Sequence, residues 1–352
     1  MKIAVLSYPM LFQSRGGLSM KVKRTVAALR EVGHDAHLFD ANNDLLRDYD
    51  LVHVFAGYNG NHRIIEQAKR DGLPVVLSTI LNPPFSASQG RKARLLSRLV
   101  GKLTGYEVTT SYWQLRTSIQ LADQLVVLGN AEGRMLTEAF EADPAKVNVV
   151  HNGIAQEFFA ADPAEFLARY PQVRQPFVLH TGLIGDVKNQ LGLARAMAGS
   201  GVQVVLVGYA GEDVSDYLRQ CLAASPDVIH LGELAHGSLI ASACAAASMV
   251  AIPSRHEGMP NSILEGLAAD RPVVLTDNHV MDLDLPTDVA VEVQADDLAG
   301  IRRAVDGFLA SPPPPGRARS VVSHMSWNAV ARRLSDVYDK AVAANRSSGG
   351  SR

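Results

Sequence analysis

Two doubly wound α/β domains are the fold class this sequence predicts, on three observations. The chain has 352 residues, short β-branched runs alternate with helix-period stretches, and that alternation starts afresh in the second half. At about 100–200 residues per domain, this length suits two cores better than one. Residues 2–7 read as a strand and 17–32 as a helix, with Leu18, Val22, Val26 and Leu29 at near-helical spacing. Gly33 stands where a helix stops, and 36–39 returns as a strand. Apolar runs at 51–55, 74–78, 124–128 and 147–150 complete the first half, and those at 177–180, 202–207, 228–231, 249–252 and 273–275 form the second. Strands alternating with helices in this way imply mostly parallel sheets covered on both faces. Residues 170–176 (Tyr-Pro-Gln-Val-Arg-Gln-Pro) read as a linker, giving a first domain at 1–170 and a second at 171–310. The remainder, 311–352, opens with a break holding four consecutive prolines, which exclude helix. A closing amphipathic helix follows at 327–343, with Val330, Leu334, Val337, Tyr338 and Val342 on one face, and the Gly/Ser-rich 347–352 reads as disordered.

Composition removes several classes. A chain 47% hydrophobic and 20% charged is ordinary for a soluble globular protein. Its 34 Lys and Arg against 36 Asp and Glu give a net −2, which argues against a general nucleic-acid binder. Residues 1–150 carry 18 basic and 14 acidic side chains (+4) and the rest carry 16 and 22 (−6), so the charge changes sign between the halves. Two cysteines make no disulfide framework and fit a reducing compartment. No apolar run reaches the ~18–20 residues of a membrane span. The first apolar stretch has one positive charge and is soon interrupted by Pro9 and Gln13, so it reads as a buried strand and not a signal peptide. A cytoplasmic protein is expected.

In such domains ligands sit at the carboxyl ends of the strands. The first strand–helix loop holds Gly16-Gly17, which is either a tight turn or a place where backbone N–H groups approach an anion at a helix N-terminus. It is not the Gly-x-Gly-x-x-Gly of dinucleotide binders. The segment 253–268, Pro-Ser-Arg-His-Glu-Gly-Met-Pro-Asn-Ser-Ile-Leu-Glu-Gly-Leu-Ala, follows an apolar strand. Its Glu257 should stand on the loop and its Glu265 in the first turn of the next helix, so that two carboxylates grip different hydroxyls of one extended ligand. Ser262 and Glu265 also stand in capping-box spacing, which is a purely structural alternative. Arg91, Lys92, Arg94, Arg98 and Lys102 fall in a stretch without acidic residues, interleaved with Leu95, Leu96, Leu99, Val100 and Leu103. As a helix this is either a solvated face or a basic amphipathic surface suited to an anionic membrane or a phosphorylated acceptor.

Glu257-x7-Glu265, with Gly266-Leu267-Ala268 and the following Pro272–Asp277 run, resembles the donor-site signature of glycosyltransferase family 4. These are retaining, nucleotide-sugar-dependent enzymes of the GT-B fold, two Rossmann-like domains facing each other across a cleft. Gly33-His34-Asp35, His151-Asn152-Gly153-Ile154, Gly182 with Lys188, and Ser326-Trp327 are similar to further family features in the same order. The resemblance implies donor binding by Gly16, Gly17, Gly182, Lys188, Glu257, Gly258, Met259, Asn261, Ser262 and Glu265. Gly17 and Lys188 would hold the diphosphate, Glu265 the ribose hydroxyls and Glu257 the donor sugar, and the backbone around Met259 to Ser262 would fix sugar and phosphate. Lys188 and Glu257 are thereby the expected catalytic residues. Leu183 stands where the family has an arginine, Pro260 where a glycine is common, and Ile80 where a histidine often faces the reacting centre. His53 partly matches another family histidine and is the acceptor-side candidate, with a structural role as its alternative. No cofactor and no metal is expected, since no His or Cys stand at ligand spacing. The expected reaction is transfer of a sugar to a carbohydrate or lipid-linked acceptor, in polysaccharide or glycolipid assembly. An epimerase or sugar-phosphate synthase of the same fold, and a nucleotide-sugar-binding module, are the alternatives.

Overall fold

The structure, a computed structural model, describes residues 1–13, 17–80, 86–105, 109–234, 237–279 and 281–349. The chain forms two compact units, Met1–Gly153 with Trp327–Arg352, and Ile154–Ser326. The first contains strands β1 (Lys2–Leu6), β2 (Asp35–Leu38), β3 (Leu51–Phe55), β4 (Val75–Ser78), β5 (Gln124–Val127) and β6 (Val147–Val149). They lie parallel in the order β2-β1-β3-β4-β5-β6. Helices α1 (Gly17–Glu31), α2 (Asn61–Arg70), α3 (Ala87–Thr104), α4 (Ser111–Leu121) and α5 (Asn130–Phe140) connect them. Every residue of β3, β4 and β5 is buried, as expected where both faces of a parallel sheet are covered.

In the second unit, α6 (Gln156–Phe159) and α7 (Ala164–Arg169) precede β7 (Phe177–Thr181). There follow α8 (Gln190–Met197), β8 (Gln203–Val207), α9 (Ser215–Ala223), β9 (Val228–His230), α10 (Ser238–Ala246), β10 (Met249–Ile252), α11 (Asn261–Ala268), β11 (Val273–Thr276), β12 (Ala290–Val293), α12 (Leu298–Ala310) and α13 (Arg317–Val322). The sheet order is β12-β11-β10-β7-β8-β9, all parallel. Counted from β7 this is the 6-5-4-1-2-3 of a dinucleotide-binding sheet, so its order reverses between β7 and β10. Such a reversal leaves a crevice at the carboxyl ends of two neighbouring strands whose loops depart in opposite directions.

The unit boundaries differ from the sequence expectation at both ends. The chain enters the second unit at Ile154, not at 171, because Phe158 and Phe166 are fully buried there. The Phe166 ring lies 6.0 Å from that of Phe177, and its N–H donates to Ser242 Oγ at 2.9 Å. The last helix, α14 (Trp327–Gly349), returns to the first unit and packs on α1. Its Val330, Leu334, Val337 and Tyr338 join the core of β1 and β3, so the predicted amphipathic face is the contact face. Residues 347–349, expected to be disordered, continue that helix, and 350–352 lie outside the described residues.

Candidate active site

Two loops meet at the strand-order reversal of the second unit. The first leaves β7 at Gly182, whose φ of +150° suits glycine, and runs through a short turn, Asp186–Lys188, into α8. The neighbouring Gly208 has φ +154°, and a Cβ there would stand 1.7 Å from the carbonyl oxygen of Gly182. Only glycine lets β8 approach the first loop this closely. Asn189, which opens α8, has φ +55°, a conformation asparagine tolerates better than most residues. Its Nδ2 donates to Pro253 O at 2.9 Å and Ala295 O at 2.7 Å, tying the first loop to the loop that leaves β10.

That second loop brings Glu257 against Lys188. Glu257 Oε1 accepts from Lys188 Nζ at 2.6 Å and from Ser254 Oγ at 2.6 Å. The Glu257 side chain is 9% exposed and that of Lys188 31%, a half-open pair at the carboxyl ends of β7 and β10. Backbone bonds hold the loop from both sides: Arg255 N–H donates to Val187 O at 2.8 Å and Glu257 N–H to Asn278 O at 2.9 Å. On the rim, Arg255 bonds Asp186 through Nε at 2.9 Å and Asp296 through a terminal nitrogen at 2.9 Å. Those two carboxylates hold the already basic guanidinium further up. From beneath, His180 donates Nε2–H to the Lys188 carbonyl at 3.2 Å. Its ring is fully buried, and burial brings its pKa down to about 4, so it is a neutral prop for the lysine backbone.

Helix α11 begins directly behind this pair. Pro260 is its N-cap, and Gly258 and Met259 lead into it, Met259 buried. The capping alternative for Ser262 is not realised: Ser262 is the second helical residue, and its hydroxyl donates to Thr181 O at 2.9 Å, fastening α11 to the end of β7. Glu265 is the fifth residue, just past the first turn where it was expected, and half-buried. Of the expected donor residues, Gly182, Lys188, Glu257, Gly258, Met259, Asn261, Ser262 and Glu265 all belong to the loops and helix gathered here. Gly17, an exposed residue opening α1, belongs to the first unit; Gly16 lies outside the described residues. Leu183 is exposed where the family's arginine would stand.

His53 takes up the structural alternative. It is fully buried in β3, with Nδ1 bonded to Tyr338 Oη at 2.8 Å and Nε2 to Ser78 Oγ at 2.9 Å, and its ring is stacked on Phe55. Burial, aided by the charge of Lys21, drives its pKa to about 3. Ile80, in the place of the family's other histidine, has φ +49°, a strained backbone for a β-branched residue. Sequence reasoning did not single out Ser254, Asn189, His180 or Arg255. Ser254 and Arg255 stand inside the motif that carries Glu257, and Asn189 follows Lys188 directly; only His180 gave no motif signal.

Residues 175–310 match a family model described as glycosyl transferases group 1. The D-inositol 3-phosphate glycosyltransferase of Mycobacterium avium is 30% identical over 243 residues, covering 63% of this chain and 55% of that protein. Its counterpart in Kineococcus radiotolerans is 28% identical over 249 residues, covering 65% and 54%. The chain thus spans about half the length of the curated relatives it matches. Among solved structures, sucrose-phosphate synthase from Thermosynechococcus elongatus superposes with a TM-score of 0.76 at 17% identity, over 97% of this chain and 99% of that one. Anabaena HepE in complex with UDP-glucose gives 0.71 at 16% identity, over 96% and 99%. These likenesses establish the GT-B fold and support a glycosyltransferase of that type.

Proposed function

We propose that this chain transfers a sugar from a nucleotide-diphosphate donor to an acceptor hydroxyl with retention at the anomeric carbon. The reading is carried by the Lys188–Glu257–Ser254 constellation, set at the strand-order reversal beside the start of α11. A lysine ammonium and a helix N-terminus placed together suit a departing diphosphate, and they need no reorganisation as its charge develops. Oε1 of Glu257 already accepts two hydrogen bonds, so Oε2 is the oxygen that would take a donor-sugar hydroxyl. Glu265 would hold the ribose hydroxyls, and Gly16, Gly17 and Gly182 would lend backbone contacts to the diphosphate. The proposed route is front-face, with the leaving phosphate taking the acceptor proton. Lys188 and the helix N–H groups supply the countercharge, so no metal is required in this reading. Closure around the donor would limit its hydrolysis.

The UDP-glucose held by Anabaena HepE supports a uridine diphosphate sugar as the first donor to try. The acceptor would be a carbohydrate or lipid-linked hydroxyl in polysaccharide or glycolipid assembly. No helix among the described residues is long and apolar enough to cross a membrane. The basic stretch from Arg91 to Lys102 would instead hold the protein at the cytoplasmic membrane face. The test is incubation with a panel of nucleotide sugars and acceptor extracts, following nucleoside diphosphate release and the anomeric configuration of the product, with and without EDTA. The expected result is EDTA-insensitive, acceptor-dependent release with a retained anomer. Inversion would contradict the stereochemistry, turnover of donor alone would favour an epimerase, and a phosphorylated acceptor would favour a synthase. Binding without transfer would leave a nucleotide-sugar-binding module.

A further inference from the structure

The basic stretch is helix α3, and it is built to show an apolar face to something. Ser86 caps it: its hydroxyl accepts from Gln89 N–H at 3.2 Å while Gln89 Oε1 accepts from Ser86 N–H at 2.7 Å, and Gly105 closes the other end in the left-handed conformation. Gly90, Ser97 and Gly101 form its buried face, where a Cβ on Gly90 would stand 2.5 Å from Ala139 O. At 3.6 residues per turn the opposite face carries the leucines. Leu95 is 63% exposed, Leu96 56%, Leu99 53% and Leu103 85%. Four exposed leucines on one helix face are a contiguous apolar patch, which solvated surfaces avoid.

Between the buried face and the leucines, the same helical wheel places Arg94 and then Arg98. There α3 and α4 enclose a pocket of about 180 Å³ lined by Arg94, Ser97, Arg98, Tyr112, Trp113 and Arg116. Arg94 and Arg116 both pair with the Glu141 carboxylate, Arg116 at 2.6 Å. Arg98 is exposed and forms no ion pair among the described residues. Among the described residues, three guanidinium groups stand against one carboxylate, a net charge of +2. Among the same residues, the Nε atoms of Arg94 and Arg116 are buried without a hydrogen-bond partner, which is costly unless an acceptor arrives. Burial, with the charges of Arg94 and Arg98, lowers the pKa of Arg116.

We propose that this pocket binds the phosphate of an anionic phospholipid headgroup while Leu95, Leu96, Leu99 and Leu103 enter the acyl boundary of the same leaflet. The proposal rests on the membrane contact suggested above and names its headgroup site. Planar guanidinium groups match phosphate oxygens in pairs, and an apolar face beside a basic flank is how an interfacial helix lies in a membrane. A soluble polyanion would account for the arginines and not for the leucines.

The test is co-sedimentation of the full chain with vesicles of phosphatidylcholine alone and of phosphatidylcholine with phosphatidylglycerol, at low and high salt. Binding is expected only to the anionic vesicles and should weaken as salt rises. Arg98→Ala should weaken it about fivefold, as for one lost charge near an anionic surface. Arg98→Lys separates a pocket from a merely basic surface: the pocket predicts a loss close to that of Arg98→Ala, and wild-type binding by Arg98→Lys would overturn it. Leu99→Gln with Leu103→Gln should abolish sedimentation without shifting the melting temperature, both side chains being exposed. Glycerol phosphate, titrated separately, tests the soluble source. If it binds wild type and the leucine variant equally while vesicles bind neither, the site serves a free phosphate and the lipid proposal falls; so it does if nothing binds. Sedimentation reads no sugar transfer, so failure here leaves the donor assignment standing, and the reverse holds too.

Discussion

In the second unit the strand order reverses between β7 and β10, and the loops leaving those strands present Lys188 and Glu257, paired with each other and half-open. In the first unit it reverses between β1 and β3, and the histidine of β3 is sealed inside, fastened to Tyr338 of α14 and Ser78 of β4. Both sheets are parallel and six-stranded, with buried central strands. The difference is where polar side chains fall along the strands. His53 lies within its strand and must satisfy both ring nitrogens locally, because an unmet buried donor or acceptor costs about 1–3 kcal/mol. Lys188 and Glu257 lie beyond their strand ends, where loops can aim charge at a ligand without burying it completely. One polar set is a fastener, and the other is the half-open pair to which the proposed function assigns the chemistry.

The largest effects should separate the two sets. Lys188→Ala and Glu257→Gln should each cut transfer by about 10²–10³-fold, the usual cost of one electrostatic stabiliser. Lys188→Ala should also lower stability by about 1–3 kcal/mol, since it strips the nearly buried Glu257 of its counter-ion. Adding Glu257→Gln to it should recover most of that stability and none of the activity, a coupling that thermal melts and turnover together would show. Loss of activity in proportion to loss of folded protein would erase the distinction. Gly208→Ala should destabilise the second unit by more than about 3 kcal/mol, because the new Cβ would collide with the Gly182 carbonyl; ordinary stability in a melt would refute the close approach.

Acid should strike both units through their buried histidines. His180 and His53 are held neutral, with pKa values lowered to about 4 and about 3. A depressed folded pKa means the unfolded chain takes up protons first. The stability each histidine protects is whole above pH ~6.5, and it falls by about 1.4 kcal/mol per pH unit until the folded value is reached. The loss should therefore end near pH 4 for His180 and near pH 3 for His53. Denaturant titrations of His53→Gln and His180→Gln should each flatten the slope by about one proton; an unchanged slope would mean the histidine is not sealed. The smallest expected effect is Arg255→Ala. Its bonds to Asp186 and Asp296 are exposed, so stability should change by less than about 1 kcal/mol, with a few-fold rise in the donor KM as the loop loosens.

Much of this contrast could be read in the sequence. Runs such as Val-Val-Leu-Ser and Met-Val-Ala-Ile are short, apolar and β-branched, and they became the buried strands β4 and β10. The four residues of β12 were missed because an edge strand that buries two of its four side chains lacks that signal. The boundary at 170 followed the prolines, whereas the chain changes unit where Phe158 and Phe166 find a pocket, which only tertiary packing decides. Glu257 and Lys188 were legible because their motifs are local. Their contact spans 69 residues and depends on β7 and β10 being neighbours, as does the seat of Ser262 on Thr181. His53 was ambiguous because its partner Tyr338 lies 285 residues away.

The donor site proposed for the second unit is tested most directly by calorimetric titration of wild type, Glu257→Gln and Lys188→Ala with a nucleoside diphosphate and with its sugar conjugate. Wild type should bind the conjugate more tightly than the diphosphate. Glu257→Gln should lose that advantage while keeping diphosphate affinity, and Lys188→Ala should weaken both ligands. Equal binding of both ligands by all three proteins would contradict the placement of the donor between β7 and β10.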